Sequence, residues 1–536
     1  MSKPESPAAP ALDEAARLYQ QLQRQFVEAG KNSRQETARG FTTPSPQSQS
    51  EWQAVLDTMT KMYAVVVHFS DGGAYDASDV TAHLDDALVG NTTVQQGATQ
   101  ESSSAEESAE SDARDRGDAE SGGEPSEEEQ LKWFTRSLRN LKGLEDTSDE
   151  VCRHALELWR NAHRVGDRNL AFYEYPGRVG TMTLRLHQAA HGSAKVFEPV
   201  PQGSEVEWHQ RVWEITSGKC VRYANFANPR VPLQQGDWVT KIDVVAQFLA
   251  AASAVHLGHE VEPTDNDHGG PWEFVIDAHD QDWPRPVRDA LVGSAERPGY
   301  VRLAEAVDMS EAPEVTRLAL QDQLVAGAYL PTPMARYLAK DRKLNLKLDW
   351  ALVWIKGRHG QHLAKWSEIF RTGRKELRIR VARGEPGAAE AYAIAKNVYA
   401  SYLGGMTRST KHNMALLRPD HHDQYVALAS ANALRSLEKA AAHGYAPLCL
   451  LRDTAIFADP KQRIKNIEGM RFAPDPDTWR QEGVDVAVLA EEHSPGKWAV
   501  EDYCQATPEI VQAHTKGRTT QLKALVEAAS REEVSA

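Results

Sequence analysis

Two apolar runs, each holding one aspartate, constrain this chain more than any other feature. KIDVVAQFLAAA around Asp243 and PLCLLRDTAIF around Asp453 are rich in β-branched and large apolar residues, as strands are. Asp243 stands at the end of a strand that turns into a helix, and Asp453 stands where a β-hairpin reverses. Between them, AKNVYASYLGG reads as a helix bearing Lys396 and ending in two glycines. One aspartate in a buried strand is ordinarily a turn cap or an ion-pair partner. Two of them flanking a lysine helix point instead to carboxylates converging from adjacent strands to hold Mg²⁺. Lys396 would then grip a phosphate as a point charge.

The chain has 536 residues and is 41% hydrophobic, enough to bury a sizeable core in roughly two to four domains. No apolar run approaches the ~20 residues of a membrane span, and the first twenty residues lack the pattern of a secretory signal. Cys152, Cys220, Cys449 and Cys504 lie far apart with no C-x-x-C pair, which fits a reducing cytoplasm. The net charge of −15 argues against a nucleic-acid partner only until its distribution is seen. Residues 101–129 hold twelve acids against Arg114 and Arg116, so −10 of the −15 falls there. Residues 365–383 instead carry seven basic residues against Glu368 and Glu376. Within that run Arg371, Arg374, Lys375 and Arg378 share one face if the helix continues past Gly373, and a basic face of this kind suits phosphates. Local field decides what docks where.

Along the chain, residues 1–97 read as a helical, partly disordered N-terminal region. Residues 98–129 form a Ser/Glu/Asp/Gly linker with almost nothing to bury, hence disordered. Residues 130–232 begin with amphipathic helices and continue as short strands over 168–230. After the Asp453 strand, residues 461–536 are mixed, with a helix over 508–532. Histidines occur as HQAAH (His187, His191), HLGH (His256, His259) and His421-His422. None is followed by a second ligand pair at zinc spacing, so no structural zinc is expected.

The segments between 233 and 460 resemble the palm and fingers of family B DNA polymerases. Asp243, Ala246 and Phe248 match D-x-x-S-L-Y-P at the aspartate and approximately at the serine and tyrosine. Lys396, Ser401 and Gly404 fit K-x-x-x-N-S-x-Y-G, with Ala400 and Leu403 at the Asn and Tyr positions. Asp453-Thr454 fits the start of Y-x-D-T-D-S, with Leu451 for the tyrosine and Ala455 for the second aspartate. A closer resemblance is to the telomere-associated protein (Tap) family of linear actinobacterial replicons. It is carried by IDVVAQFLAAA, PGYVRL, LPTPMARYLA, LRPDHHDQYVALASANALRSL and YAPLCLLRDTAIFADP, in that order over roughly 237–460.

The resemblance implies an α+β fold: a polymerase-like palm, an antiparallel sheet with packed helices, and helical fingers. It implies Asp243 and Asp453 as metal ligands for Mg²⁺, and Lys396 as a phosphate contact in a vestigial or weak site. Phe248 would be the wall under an incoming sugar, and Ser401, Gly404, Arg371, Arg374, Lys375 and Arg378 would meet nucleotide or DNA. The family bridges its metals with the second aspartate of the last motif, so Ala455 implies little or no polymerase activity. The expected function is DNA binding at replicon ends in the nucleoid, with a terminal protein or the replication machinery as partner and no membrane. Two alternatives stand beside it. One is an active protein-primed polymerase or terminal nucleotidyltransferase, and the other is an adaptor that uses the palm as a scaffold without binding DNA.

Overall fold

The computed structural model describes residues 124–190, 199–260, 269–278, 282–294, 296–355, 357–407, 416–462, 464–473 and 495–535. The N-terminal helical region read over 1–97 and most of the acidic linker lie outside these residues. The described chain opens with α1 (Glu127–Arg139), so the linker reading runs three residues too far. Ser126 and Glu129 explain why. The Glu129 amide donates to the Ser126 hydroxyl at 3.3 Å, and the Ser126 amide donates to the Glu129 carboxylate at 2.9 Å. This reciprocal cap, with three acids at the positive end of the helix dipole, turns a solvated-looking acidic run into a helix start.

α2 (Asp149–Ala162) follows, then the two-residue strands β1 (Arg164–Val165) and β2 (Arg168–Asn169). Where short strands are expected over 168–230, the chain is mainly helical. TMTLRLHQ lies within α3 (Pro176–Ala190), and RVWEITSG lies almost wholly within α4 (Glu207–Ser217). Trp208, Val212 and Ile215 are buried at i, i+4 and i+7, a helical period that the β-branched content of the segment masks. Among the described residues of this stretch, β2 and β3 (Phe226–Ala227) are extended as read.

The central section runs β4 (Trp238–Val244), α5 (Gln247–Ala254), β5 (Leu257–Gly258), β6 (Trp272–Val275), α6 (Arg285–Leu291), β7 (Gly299–Leu303) and α7 (Glu314–Leu320). Next come β8 (Tyr329–Pro331) and α8 (Thr332–Arg336), which passes directly into a π-helical turn, Tyr337–Asp341. After β9 (Leu348–Val353) and β10 (His359–Gly360), the expected helix pair appears as α9 (Ala364–Ala382) and α10 (Ala388–Gly405). α11 (Pro419–Ala442) is the long helix, and Gly444 follows it in the left-handed conformation at φ 87°. A hairpin of β11 (Pro447–Leu451) and β12 (Thr454–Asp459) precedes β13 (Trp498–Gln505), α12 (Pro508–Thr515) and α13 (Thr519–Ser535).

The fold mixes α and β, and its named strands pair with one another antiparallel, with two isolated parallel bridges, Cys220 to Tyr329 and Phe472 to Trp498. A five-stranded sheet has the order β13-β4-β12-β11-β3, and a four-stranded sheet has the order β6-β9-β7-β8. Alternation divides the larger sheet cleanly. Ile242, Leu450, Ala455 and Phe457 join a core with Ala431 and Leu434 of α11. Val239, Cys449 and Ile456 face Ile510, Leu522 and Val526 of the two C-terminal helices. A separate helical core holds Trp159 of α2, Trp366 and Phe370 of α9, and Tyr402 of α10.

Gly373 sits mid-helix in α9 because the ring of His163 lies against it; a Cβ there would come within 2.4 Å of that ring. Burial pushes His163 down to about 4, so the imidazole packs as a neutral group. The helix therefore continues past its glycine and sets Arg371, Arg374, Lys375 and Arg378 along one side. No helix among the described residues is long and apolar enough to cross a membrane. All four cysteines are free.

Candidate functional site

The geometry begins with β4 in the middle of its sheet. Thr454 of β12 stands opposite Asp243 on one side, and Ala499 of β13 stands opposite it on the other. Leu451 pairs with Thr454, leaving Arg452 and Asp453 as a two-residue hairpin turn. The Val244 amide donates to the Asp453 carbonyl at 2.9 Å, pinning that turn beside the end of β4. The two aspartates are therefore neighbours, as their positions in the sequence suggest. Arg452 (φ 58°) and Ala246 (φ 44°) both adopt the left-handed conformation that L residues avoid. Strain of this kind gathers where a site holds its backbone in place.

Asp243 is the most perturbed group here. The Thr454 hydroxyl donates to its carboxylate, and Lys523 Nζ from α13 donates to that hydroxyl at 2.9 Å. Its Oδ1 is buried with no hydrogen-bond partner. Burial above all, then the Glu501 carboxylate, raises its pKa to about 7; Asp453 adds to the rise, and Thr454 and Lys241 oppose it.

Glu501 is the residue the sequence reading missed. Val500 pairs with Ile242 and Asp502 with Lys241, so Glu501 is the extra residue of a β-bulge. A bulge re-aims a side chain, and this one brings a third carboxylate into range of Asp243. The sign of it was adjacent Glu and Asp interrupting the alternation of WAVEDYCQ. Lys241, only 5% exposed at its side chain, reaches Asp502 at 2.7 Å, Glu527 at 2.8 Å and Glu501 at 3.3 Å. Burial opposes its charge, but these acids outweigh burial and hold its pKa above the ordinary value.

One assignment carried by the resemblance changes. Ala455 stands opposite Ile242, on the far face of the sheet from Asp243, and is fully buried in the core. A side chain at 455 cannot reach the carboxylates in this register; Thr454 occupies the facing position. Asp243, Asp453 and Glu501 offer the hard oxygen donors that Mg²⁺ takes. Among the described residues, however, no three His, Cys, Asp or Glu side chains converge on one ion. Lys241 pairs with Glu501 from within the protein, and Lys523 reaches the site through the Thr454 hydroxyl.

A basic and aromatic edge lies across from the acids. Arg374 Nε donates to the Tyr392 hydroxyl at 2.9 Å, with its guanidinium 5.4 Å from the ring centre. Arg378 shares that tyrosine; burial lowers its pKa, and the Glu501 carboxylate acts on it. Burial raises Tyr399 of α10 to about 12, with Arg374 and Asp453 both within its field. Arg371 is exposed and Lys375 half-buried on the same helix.

The remaining candidates are more dispersed. Lys396, Ala400 and Gly404 form an exposed stripe of α10, and no hydrogen bond or ion pair ties Lys396 to either aspartate. Ser401 donates to Asn397 Oδ1 one turn back at 3.0 Å. Phe248 packs edge-on to Tyr425 with ring centres 6.1 Å apart, half-buried against the helical core.

The histidine reading also needs correction. β5 and β10 pair, bringing HLGH beside His359-Gly-Gln-His362, a second H-x-x-H that the spacing argument overlooked. His256 Nδ1 lies 3.2 Å from His359 Nδ1, and His259 Nδ1 lies 2.9 Å from His362 Nε2. These contacts are pairwise, and three of the rings do not converge on one ion.

No protein-family model matches the chain, and no curated protein matches it. Among solved structures, the chain is similar to phi29 DNA polymerase in an orthorhombic crystal form, at 12% identity and a TM-score of 0.42. It is also similar to phi29 DNA polymerase complexed with primer-template DNA, at 14% identity and a TM-score of 0.39. A complex of the same polymerase with single-stranded DNA gives 12% and 0.39. Each likeness covers 70% of this chain and 63% of the polymerase, so the chain spans less than two thirds of that relative's length.

The raised pKa of Asp243 fixes a sign. The folded state holds this proton more tightly than an ordinary aspartate near 3.8. Its contribution to stability is therefore complete below about pH 4 and is lost as pH rises through about 7. Asp243→Asn should leave Tm unchanged at pH 4 and raise it at pH 8, by about 2 °C or more for each kcal/mol relieved. A lowered Tm at pH 8 would contradict this account. Ala455→Asp, which rewrites the turn to resemble the polymerase motif, should bury an unpaired carboxylate. It should cost about 3 kcal/mol or more in urea unfolding, with no gain in Mg²⁺ affinity. A stable variant that binds Mg²⁺ more tightly would overturn the register argument.

Proposed function

We propose that this chain binds DNA through a degenerate polymerase-like palm. It would act at the ends of a linear replicon, where it recruits a terminal protein or the replication machinery. One observation carries the reading. Opposite the carboxylates of β4 and its hairpin, α9 carries Arg371, Arg374, Lys375 and Arg378 along one side. That side and the exposed Lys396 stripe of α10 offer positive charge to a phosphate backbone. The motif order and the Tap resemblance supply the replicon-end context.

The test is anisotropy of labelled duplex and single-stranded DNA across a salt series. Binding should weaken with salt at a slope of about −0.9 per phosphate contacted. Reversing Arg371, Arg374 and Lys375 to glutamate should reduce the slope's magnitude by roughly 2–3. No binding at low salt would favour the scaffold-only adaptor, and an unchanged slope would clear α9 of the contact.

A second reading, an active nucleotidyltransferase, is favoured by Glu501, which offers the carboxylate that Ala455 does not. Under the first reading, labelled deoxynucleotide should not be incorporated on any DNA or protein primer with Mg²⁺ or Mn²⁺. Incorporation that disappears in both Asp243→Ala and Glu501→Gln would reverse the order of the two readings.

A further inference from the structure

Away from the carboxylates, a cavity of about 370 Å³ opens between the end of α5, α6, the α8 π-turn and α11. Its polar wall carries Arg297, Arg336, Lys340 and Arg435, against the acids Glu296 and Asp341. The positive charges are unevenly compensated. Arg435 is paired with Asp341 and with Asn432. Arg336, in contrast, donates only to the carbonyls of Ala290 at 3.2 Å and Gly293 at 2.8 Å, and Lys340 donates to the same Gly293 carbonyl at 3.1 Å. Arg297 has one long link to Asp289 at 3.4 Å, and its Nε is buried with no hydrogen-bond partner. Neutral carbonyls orient a cation without cancelling its charge, so Arg336 and Lys340 keep an attraction for an anion, and Arg297 adds a donor that is not yet used.

The backbone gives an independent sign. Lys340 and Asp341 reach the cavity from the π-helical turn Tyr337–Asp341. Single π turns are rare and concentrate at functional sites, because an inserted residue disturbs the helix ladder. The lining also includes the apolar Val255, Pro298, Pro333 and Leu428. Cations beside apolar side chains, in a volume within the range of small-molecule sites, together define the ligand chemistry.

We propose that this cavity binds a nucleoside di- or triphosphate, with the phosphates on Arg297, Arg336 and Lys340 and the base against the prolines. The site is separate from Asp243 and Asp453 and stands whether or not the chain binds DNA.

The test is calorimetric titration of the full chain with ATP, dATP, ADP, adenosine, pyrophosphate and inorganic phosphate. The nucleotides should bind, adenosine should not, and inorganic phosphate should bind more weakly than ATP. Lys340→Gln, which loses one exposed backbone link, should weaken ATP about tenfold, and Arg336→Gln should weaken it at least as much. Asp243→Asn should leave ATP binding unchanged. In the unmodified chain, ATP should protect Lys340 from acylation, read by mass spectrometry, so the test survives a variant that fails to fold. Absent ATP binding, unchanged affinity in Lys340→Gln, or acylation of Lys340 that ATP does not slow would overturn the proposal. Inorganic phosphate binding as tightly as ATP would remove the nucleoside from it. Displacement of ATP by Asp243→Asn would move the ligand to the carboxylate site.

Discussion

The pairing of β4 with β12 sets what every other part of the site can do. Because successive strand residues point to opposite faces, placing Thr454 opposite Asp243 sends Ala455 into the core beside Ile242. That register gives Asp243 a hydroxyl partner and makes position 455 a packing position. It also leaves Asp453 in the turn, where it reaches Asp243 from beyond the end of the strand. A shift of one residue would exchange these faces, turning Thr454 toward the core of α11 and Ala455 toward Asp243. The hairpin turn and the pinned Val244 amide guard against that slip.

Charge is arranged with equal economy. Three carboxylates near one another in a half-buried site repel, and two outcomes relieve the repulsion: an external cation or an internal one. Lys241 pairs with Glu501 as an internal cation and Lys523 steadies Thr454, and both depend on the last strand and helix described. Lys523 itself lies on α13, while Lys241 is held by Asp502 of β13 and Glu527 of α13. The helix that covers this sheet face thereby sets the electrostatics of the aspartates. The burial of Lys241 with its acids costs desolvation, which the several hydrogen bonds it makes offset.

Much of this was legible from residues alone. Asp243 and Asp453 could be paired because each interrupts an apolar run, and the helix pair around Arg374 followed from its period and the glycine-proline turn. Lys396 and Gly404 were placed correctly on one helix, but a sequence cannot say which stripe meets solvent. Residues 168–230 were misread because Val, Thr and Trp suit strands locally, whereas burial against the helical core selects the helix. Glu501 and the second H-x-x-H were missed for a shared reason. Both leave a local mark, the Glu-Asp break in WAVEDYCQ and the H-x-x-H spacing, but each gains meaning only from a partner strand more than a hundred residues away.

The position of β4 has a consequence for how the molecule is made. Its neighbours β12 and β13 follow far downstream; Lys241 waits 261 residues for Asp502. Contacts of such range are slow to form and are the last to be secured as a chain leaves the ribosome. Until then β4 has two open edges and a lysine and aspartate without partners. The helical layers of α1 to α3 can settle early, but the central sheet must be held open for its final strand. A nascent chain stalled between residues 459 and 498 would leave one edge of the central strand unpaired, which makes it a natural client for chaperones that shield strand edges.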